Sequence, residues 1–98
     1  MLIDLKKDGN KLTADLEGRL DTTTAPQLEN ELKPALDGVN ELVIDLAKLD
    51  YVSSAGLRVL LSTQKTMNRQ GNMVIRNVKP EIRDIFEVTG FIDILNIE

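Results

Sequence analysis

The stretch ELVIDLAKLDYVSSAGLRVLL, residues 41–61, decides the architecture. From Glu41 to Ala47 the apolar residues Leu42, Val43, Ile44 and Leu46 follow one another almost unbroken. That pattern fits a central strand covered on both faces. Lys48-Leu49-Asp50 reads as a loop, and Tyr51-Val52 lead into Ser53-Ser54. From Ala55 to Arg69 the period changes: Leu57, Leu60, Leu61 and Met67 recur on one side with Val59 beside them, and Gln70-Gly71-Asn72 is a helix stop signal. A buried strand running into an amphipathic helix is the first half of a βαβ unit, and such units imply parallel pairing.

Reading outward, Met73 to Ile75 supplies the next strand. Pro80 opens a helix with apolar Ile82, Ile85, Phe86 and Val88 that stops at Gly90, and Phe91 to Ile97 form a last apolar segment, strand or short helix. Upstream, residues 2–7 and Leu12, Ala14 and Leu16 alternate apolar with polar on either side of Asp8-Gly9-Asn10, a β-hairpin pattern closed at Gly18. Asp21 to Thr24 offer N-caps ahead of Ala25-Pro26. Leu28, Leu32 and Leu36 then mark a helix that Pro34 should kink or shorten and Asp37-Gly38 ends. The order β-β-α-β-α-β-α predicts one α/β domain over residues 1–98. It has a mixed sheet of four or five strands, opening with a hairpin and packed by three main helices.

Composition narrows the chemistry. The 98 residues are 42% hydrophobic and 29% charged, an ordinary globular balance. Three aromatics and no Trp leave the core to Leu, Ile and Val. Without Cys or His there is no disulfide framework, thiolate chemistry or Cys/His metal site, and the usual general base at neutral pH is missing. A net charge of −4 disfavours direct binding to nucleic acid or to an anionic membrane. No apolar run is long enough to span a bilayer, and no leader pattern opens the chain, so a cytoplasmic location is expected.

Three groups of residues are candidates for function. A helix start leaves amide N–H groups without helical partners, and one serine there caps it. Of Ser53 and Ser54 one hydroxyl is thus accounted for. The other is either merely solvated or a phosphorylation or ligand site, since helix starts favour negative charge and Ala55-Gly56 allow close approach. Asp21, Asp45 and Asp50 stand near strand ends, either solvated or converging at the carboxyl end of a parallel sheet. Arg58, Lys65 and Arg69, with Ser62 between, form a basic stripe on the long helix, a solvated face or a docking edge for an acidic partner.

At LDYVSSAGLRVLL (49–61) the chain resembles the sulfate transporter and anti-sigma factor antagonist (STAS) domains, in particular the free-standing bacterial anti-sigma factor antagonists. LEGRLDTTTAPQLENEL (16–32) and ELVIDLAKLDYV (41–52) are similar to the family's second strand, Gly-x-x-Asp turn, first helix and third strand. Aligning on Gly56-Leu57 sets Ser54 at the family's phosphorylated serine and Ser53 at its preceding aspartate, with Arg58 at a frequent glycine. Ser53 is the alternative acceptor.

The resemblance implies a partner-switching regulator with no catalysis, cofactor or metal of its own. Its unphosphorylated form would bind an anti-sigma factor that is also a serine kinase of the histidine-kinase-like ATPase type, freeing the sigma factor. Phosphorylation at Ser54 would end that contact, and a PP2C-type serine phosphatase would restore it. If the second and third strands are parallel neighbours, the partner should meet Asp21, Thr22, Thr23, Thr24, Ser53, Ser54, Gly56, Arg58, Ser62 and Lys65. Two other readings stand beside this one: a small-ligand or nucleotide-binding module at the same helix mouth, and a phosphotransfer receiver with Asp45 or Asp50 as acceptor. The opening hairpin and short length count against the receiver.

Overall fold

At Gly9-Asn10 the chain reverses, joining β1 (Leu2–Asp8) to β2 (Lys11–Leu20) as an antiparallel pair with Asp8 opposite Lys11. Gly9 sits at φ 61°, a left-handed conformation that two-residue hairpin turns need and glycine adopts without strain. A computed structural model describes all residues, 1–98. After β2 come α1 (Ala25–Ala35), β3 (Glu41–Val52), α2 (Ser54–Gln70), β4 (Asn72–Arg76), α3 (Pro80–Thr89) and a 3-10 turn at Phe91–Asp93. β2, β3 and β4 pair in parallel, and the sheet order is β1-β2-β3-β4. The expected fifth strand reduces to one bridge between Ile97 and Ile75. Gly90, at φ 81°, ends α3 and the 3-10 turn follows it, leaving few residues to extend along β4.

One sheet face carries the core. Leu12, Ala14 and Leu16 of β2, Leu42, Ile44 and Leu46 of β3, and Met73 and Ile75 of β4 alternate inward. They join one apolar cluster with Leu28 and Leu32 of α1, Leu57, Leu60 and Met67 of α2, and Ile82 and Phe86 of α3. All three helices therefore cover the same face. The opposite face presents Asp4, Lys6, Thr13, Asp15, Val43, Asp45 and Arg76, and Val43, though buried, stands apart from the cluster. The unbroken apolar run of β3 thus does not mean cover by helices on both faces.

Two further expectations are corrected. Lys48-Leu49-Asp50 is strand, because β3 continues to Val52, and Gly18 lies within β2, which runs to Leu20. Register shifts between Asp15 and Glu17 and between Gly18 and Arg19 mark bulges where β2 and β3 pair. Through them the inward residues of β3 fall at every third position, Leu46, Leu49 and Val52. A bulge alters the period of two without ending the strand. Pro34 lies in the last turn of α1, which stops one residue later, so it shortens the helix.

The end of the sheet where β3 and β4 begin is tied down. The Gln70 side chain donates to the carbonyls of Leu36 (2.7 Å) and Val39 (2.5 Å), and the Asn72 N–H donates to Asn40 O at 2.9 Å. Gly71 passes so close to Asn40 that a Cβ there would overlap the Asn40 backbone carbonyl. Gly71→Ala must therefore displace backbone, and it is expected to cost roughly 2–4 kcal/mol. The urea midpoint is the measurement; a change under about 0.5 kcal/mol would show that the two segments separate freely.

Candidate functional site

Parallel pairing carries β2 and β3 to a common end, where Arg19 lies opposite Tyr51 and Leu20 opposite Val52. The Ser53 N–H donates to the Leu20 carbonyl at 2.8 Å, fixing the start of α2 against the last residue of β2. The loops leaving the two strands thus emerge side by side, and the expected neighbours Asp21–Thr24 and Ser53-Ser54 are brought together.

The two serines divide the work. Ser53 is extended (φ −98°, ψ 174°) and its Oγ accepts the Gly56 N–H at 3.3 Å, which makes it the N-cap. Ser54 is the first residue of α2, is exposed, and its hydroxyl has no partner within the protein. Gly56 is buried, and a Cβ on it would lie 2.6 Å from Leu20 Cγ and 3.0 Å from Leu20 O. Among the expected docking residues Gly56 alone is buried, and its missing side chain lets the helix mouth sit on the end of β2.

Asp21 organises the loop before α1. Its Oδ1 accepts from the Thr23 hydroxyl (2.7 Å), the Thr23 N–H (2.9 Å) and the Thr24 N–H (3.1 Å). The Thr24 side chain, next to the helix, makes no cap bond; its hydroxyl donates to the Arg19 carbonyl at 2.7 Å and accepts the Asp21 N–H at 2.8 Å. The aspartate thus ties together the turn ahead of α1, and Thr24, at the N-cap position, leaves the helix without a side-chain cap. The Thr23 hydroxyl, and next the Thr24 amide, hold the Asp21 carboxyl at about 2, below its ordinary 3.8.

That lowered value fixes the direction of an acid effect. The carboxylate supports the folded loop fully above the ordinary value, and the support is lost as pH falls towards 2. Thr23 and Thr24 amide resonances are expected to titrate together with a midpoint near 2, and Asp21→Asn should abolish the transition. A midpoint near 3.8 would mean that the loop bonds do not persist in solution.

Two features escaped the sequence. Arg19 stacks over the Tyr51 ring, 4.2 Å from its centroid, and its Nε lies 3.9 Å from Asp21 Oδ2. Register alone makes these two neighbours, so no local motif could have announced them. The second is a cleft of about 340 Å³ between the start of α1 and α2, lined by Thr22, Pro26 and Glu29 on one side and Ala55, Arg58 and Ser62 on the other. Lys65 is exposed further along α2, outside the cleft lining. The acidic residues do not converge: Asp45 accepts from Ala47 N–H and Asn77, Asp50 pairs with Lys79 at 2.8 Å, and Asp21 is held by its own loop. No helix is long and apolar enough to cross a membrane.

This arrangement, a mixed sheet with helices on one face and a paired loop and helix mouth at the parallel end, defines a class. The family model described as STAS domain matches residues 3–98, and the chain belongs to that family. It is 40% identical to BtrV of Bordetella bronchiseptica, provisionally named an anti-sigma factor antagonist, over 99% of this chain and 85% of that protein. It is 30% identical to the anti-sigma-B factor antagonist of Bacillus subtilis over 97% of this chain and 88% of that protein. Among solved structures, the Bacillus cell fate determinant SpoIIAA in its phosphorylated form superposes with a TM-score of 0.77 at 18% identity, covering 99% of this chain and 91% of SpoIIAA. That likeness establishes the fold.

Proposed function

We propose that this chain is an anti-sigma factor antagonist that works by partner switching, with Ser54 as the phosphoacceptor. The observation that carries the reading is the division between the serines: Ser53 is committed to the cap, which leaves the Ser54 hydroxyl free, exposed and adjacent to the Asp21–Thr24 loop. The names of the relatives from Bordetella and Bacillus agree with it. In the unphosphorylated state the loop, the helix mouth and the exposed side of α2 at Arg58, Ser62 and Lys65 dock on a cytoplasmic anti-sigma factor. That partner is also a serine kinase of the histidine-kinase-like ATPase type. It transfers the γ-phosphoryl group of ATP to Ser54 Oγ, with ADP as leaving group and loss of the hydroxyl proton. A PP2C-type phosphatase hydrolyses the ester. The chain is ligand and substrate, and performs neither step.

Magnitudes support a surface switch over a folding switch. Phosphate adds about −1.5 to −2 charges at neutral pH, and at a helix start such charge is favourable by ~0.3–2 kcal/mol. Burying it poorly paired in an interface costs several kcal/mol, and each ~1.4 kcal/mol is tenfold in affinity. Incubation with the cognate kinase and ATP, followed by peptide mapping, is expected to find phosphate on Ser54. Recovery on Ser53 or on Thr22–Thr24 would overturn the assignment.

A further inference from the structure

We infer that phosphorylated Ser54 is held by Arg58 of the same helix, so that modification adds an anion to the docking surface and withdraws a cation from it in one step. The inference rests on Ser54 being the modified residue. Its basis is the placement of two exposed side chains that have no partner in the unmodified protein.

Ser54 and Arg58 are four residues apart in α2, so they share a face one turn from each other. Helical side chains lean towards the N-terminus, and a long residue covers the turn before its own Cα. By that general geometry the turn before Arg58 that carries Ser54 is within its reach, and Arg58 itself lines the cleft that also takes in Ala55, the neighbour of Ser54, Thr22 and, further along, Glu29 and Ser62. None of the six ion pairs in the structure includes Arg58. Its guanidinium is therefore uncommitted, and its fork of N–H donors matches phosphate oxygens two at a time.

Two carboxylates face this corner. Asp21 is engaged by Thr23 and Thr24, with Arg19 nearby, and does not draw on Arg58. Glu29 of α1 lines the same cleft and makes no ion pair of 4 Å or less with Arg58. A phosphoserine dianion carries more charge than Glu29 and is tethered to the same helix, so it outcompetes Glu29 for the guanidinium. In the unmodified state Arg58 stays available to an acidic surface on the partner; in the modified state it is folded onto the phosphate.

The test uses the full chain with phosphoserine placed at position 54 by genetic encoding, so that it does not depend on any kinase. The second ionisation of phosphoserine, ordinarily near 6, is followed by phosphorus NMR in the unsubstituted sequence and in Arg58→Gln. Phosphate held by Arg58 is expected to titrate about half a unit lower than in Arg58→Gln, with Arg58→Lys between them. The Arg58 Nε–H resonance should shift downfield on the same titration. The helix start acts equally on all three proteins and cancels. Matching amide spectra, recorded without phosphate, establish that the exposed substitution leaves the fold intact. Equal midpoints with an unmoved Arg58 resonance would overturn the inference while leaving Ser54 as phosphoacceptor. Phosphate mapped by the kinase to another residue would overturn the functional reading, and this inference with it.

Discussion

Ser54→Asp is expected to weaken binding to the anti-sigma partner tenfold or more while leaving the fold and its thermal midpoint almost unchanged. The hydroxyl being replaced is exposed and bonds to nothing, and the cap is made by Ser53, which the substitution does not touch. A carboxylate in the first turn of a helix is favourable by ~0.3–1 kcal/mol, so any stability change should be small and upward. The penalty arises only on docking, when the carboxylate must shed water against a surface built for a neutral hydroxyl. Calorimetry with the partner, alongside far-UV circular dichroism and a thermal scan, measures both sides. Unchanged affinity, or a cooperative loss of structure, would remove Ser54 from the role given to it.

Phe86→Ala is expected to do the reverse. Phe86 is fully buried and, with Ile82, forms the buried anchor of α3 on the sheet. Truncating a buried Phe costs roughly 3–5 kcal/mol, partly in lost transfer energy and partly in the cavity left behind. For a domain of this size each kcal/mol lowers the melting midpoint by about 4–8 °C. None of the docking residues proposed above lies on α3, so molecules that remain folded should bind the proposed partner with unchanged affinity. The denaturant midpoint is the measurement; a loss below about 1 kcal/mol would mean that α3 rests on the sheet without sealing it.

The hairpin, the two long helices and the alternation of strand and helix were legible because each depends on residues close in sequence: Gly9-Asn10, the Leu28-Leu32 spacing, and the run from Leu57 to Met67. What depended on pairing between distant segments was not. Lys48-Leu49-Asp50 resembles a loop because the bulges spread the inward residues of β3 to every third position, a period that no strand pattern anticipates. The choice of helical face is equally invisible in Leu42 to Leu46, since a strand run reads alike whether helices cover one side or two. At the site, that one of the two serines caps α2 was readable from their position, but the choice of Ser53 was not. That Arg19 meets Tyr51 follows from the register of β2 against β3, which no local pattern reveals.

The strand order β1-β2-β3-β4 is also the order in which the chain leaves the ribosome. No strand has to be inserted between two that are already paired; each newly synthesised segment adds to an open edge left by the one before. The hairpin comes first, marginal by itself. α1 with β3 then gives it an apolar face to close on, and α2 with β4 repeats the addition. α3 seals the layer, and the bridge from Ile97 to Ile75 is made at the end. Each parallel addition nevertheless spans a whole helical crossover, Lys11 to Glu41 and then Glu41 to Asn72, so every new edge stays open until the next helix and strand have been made.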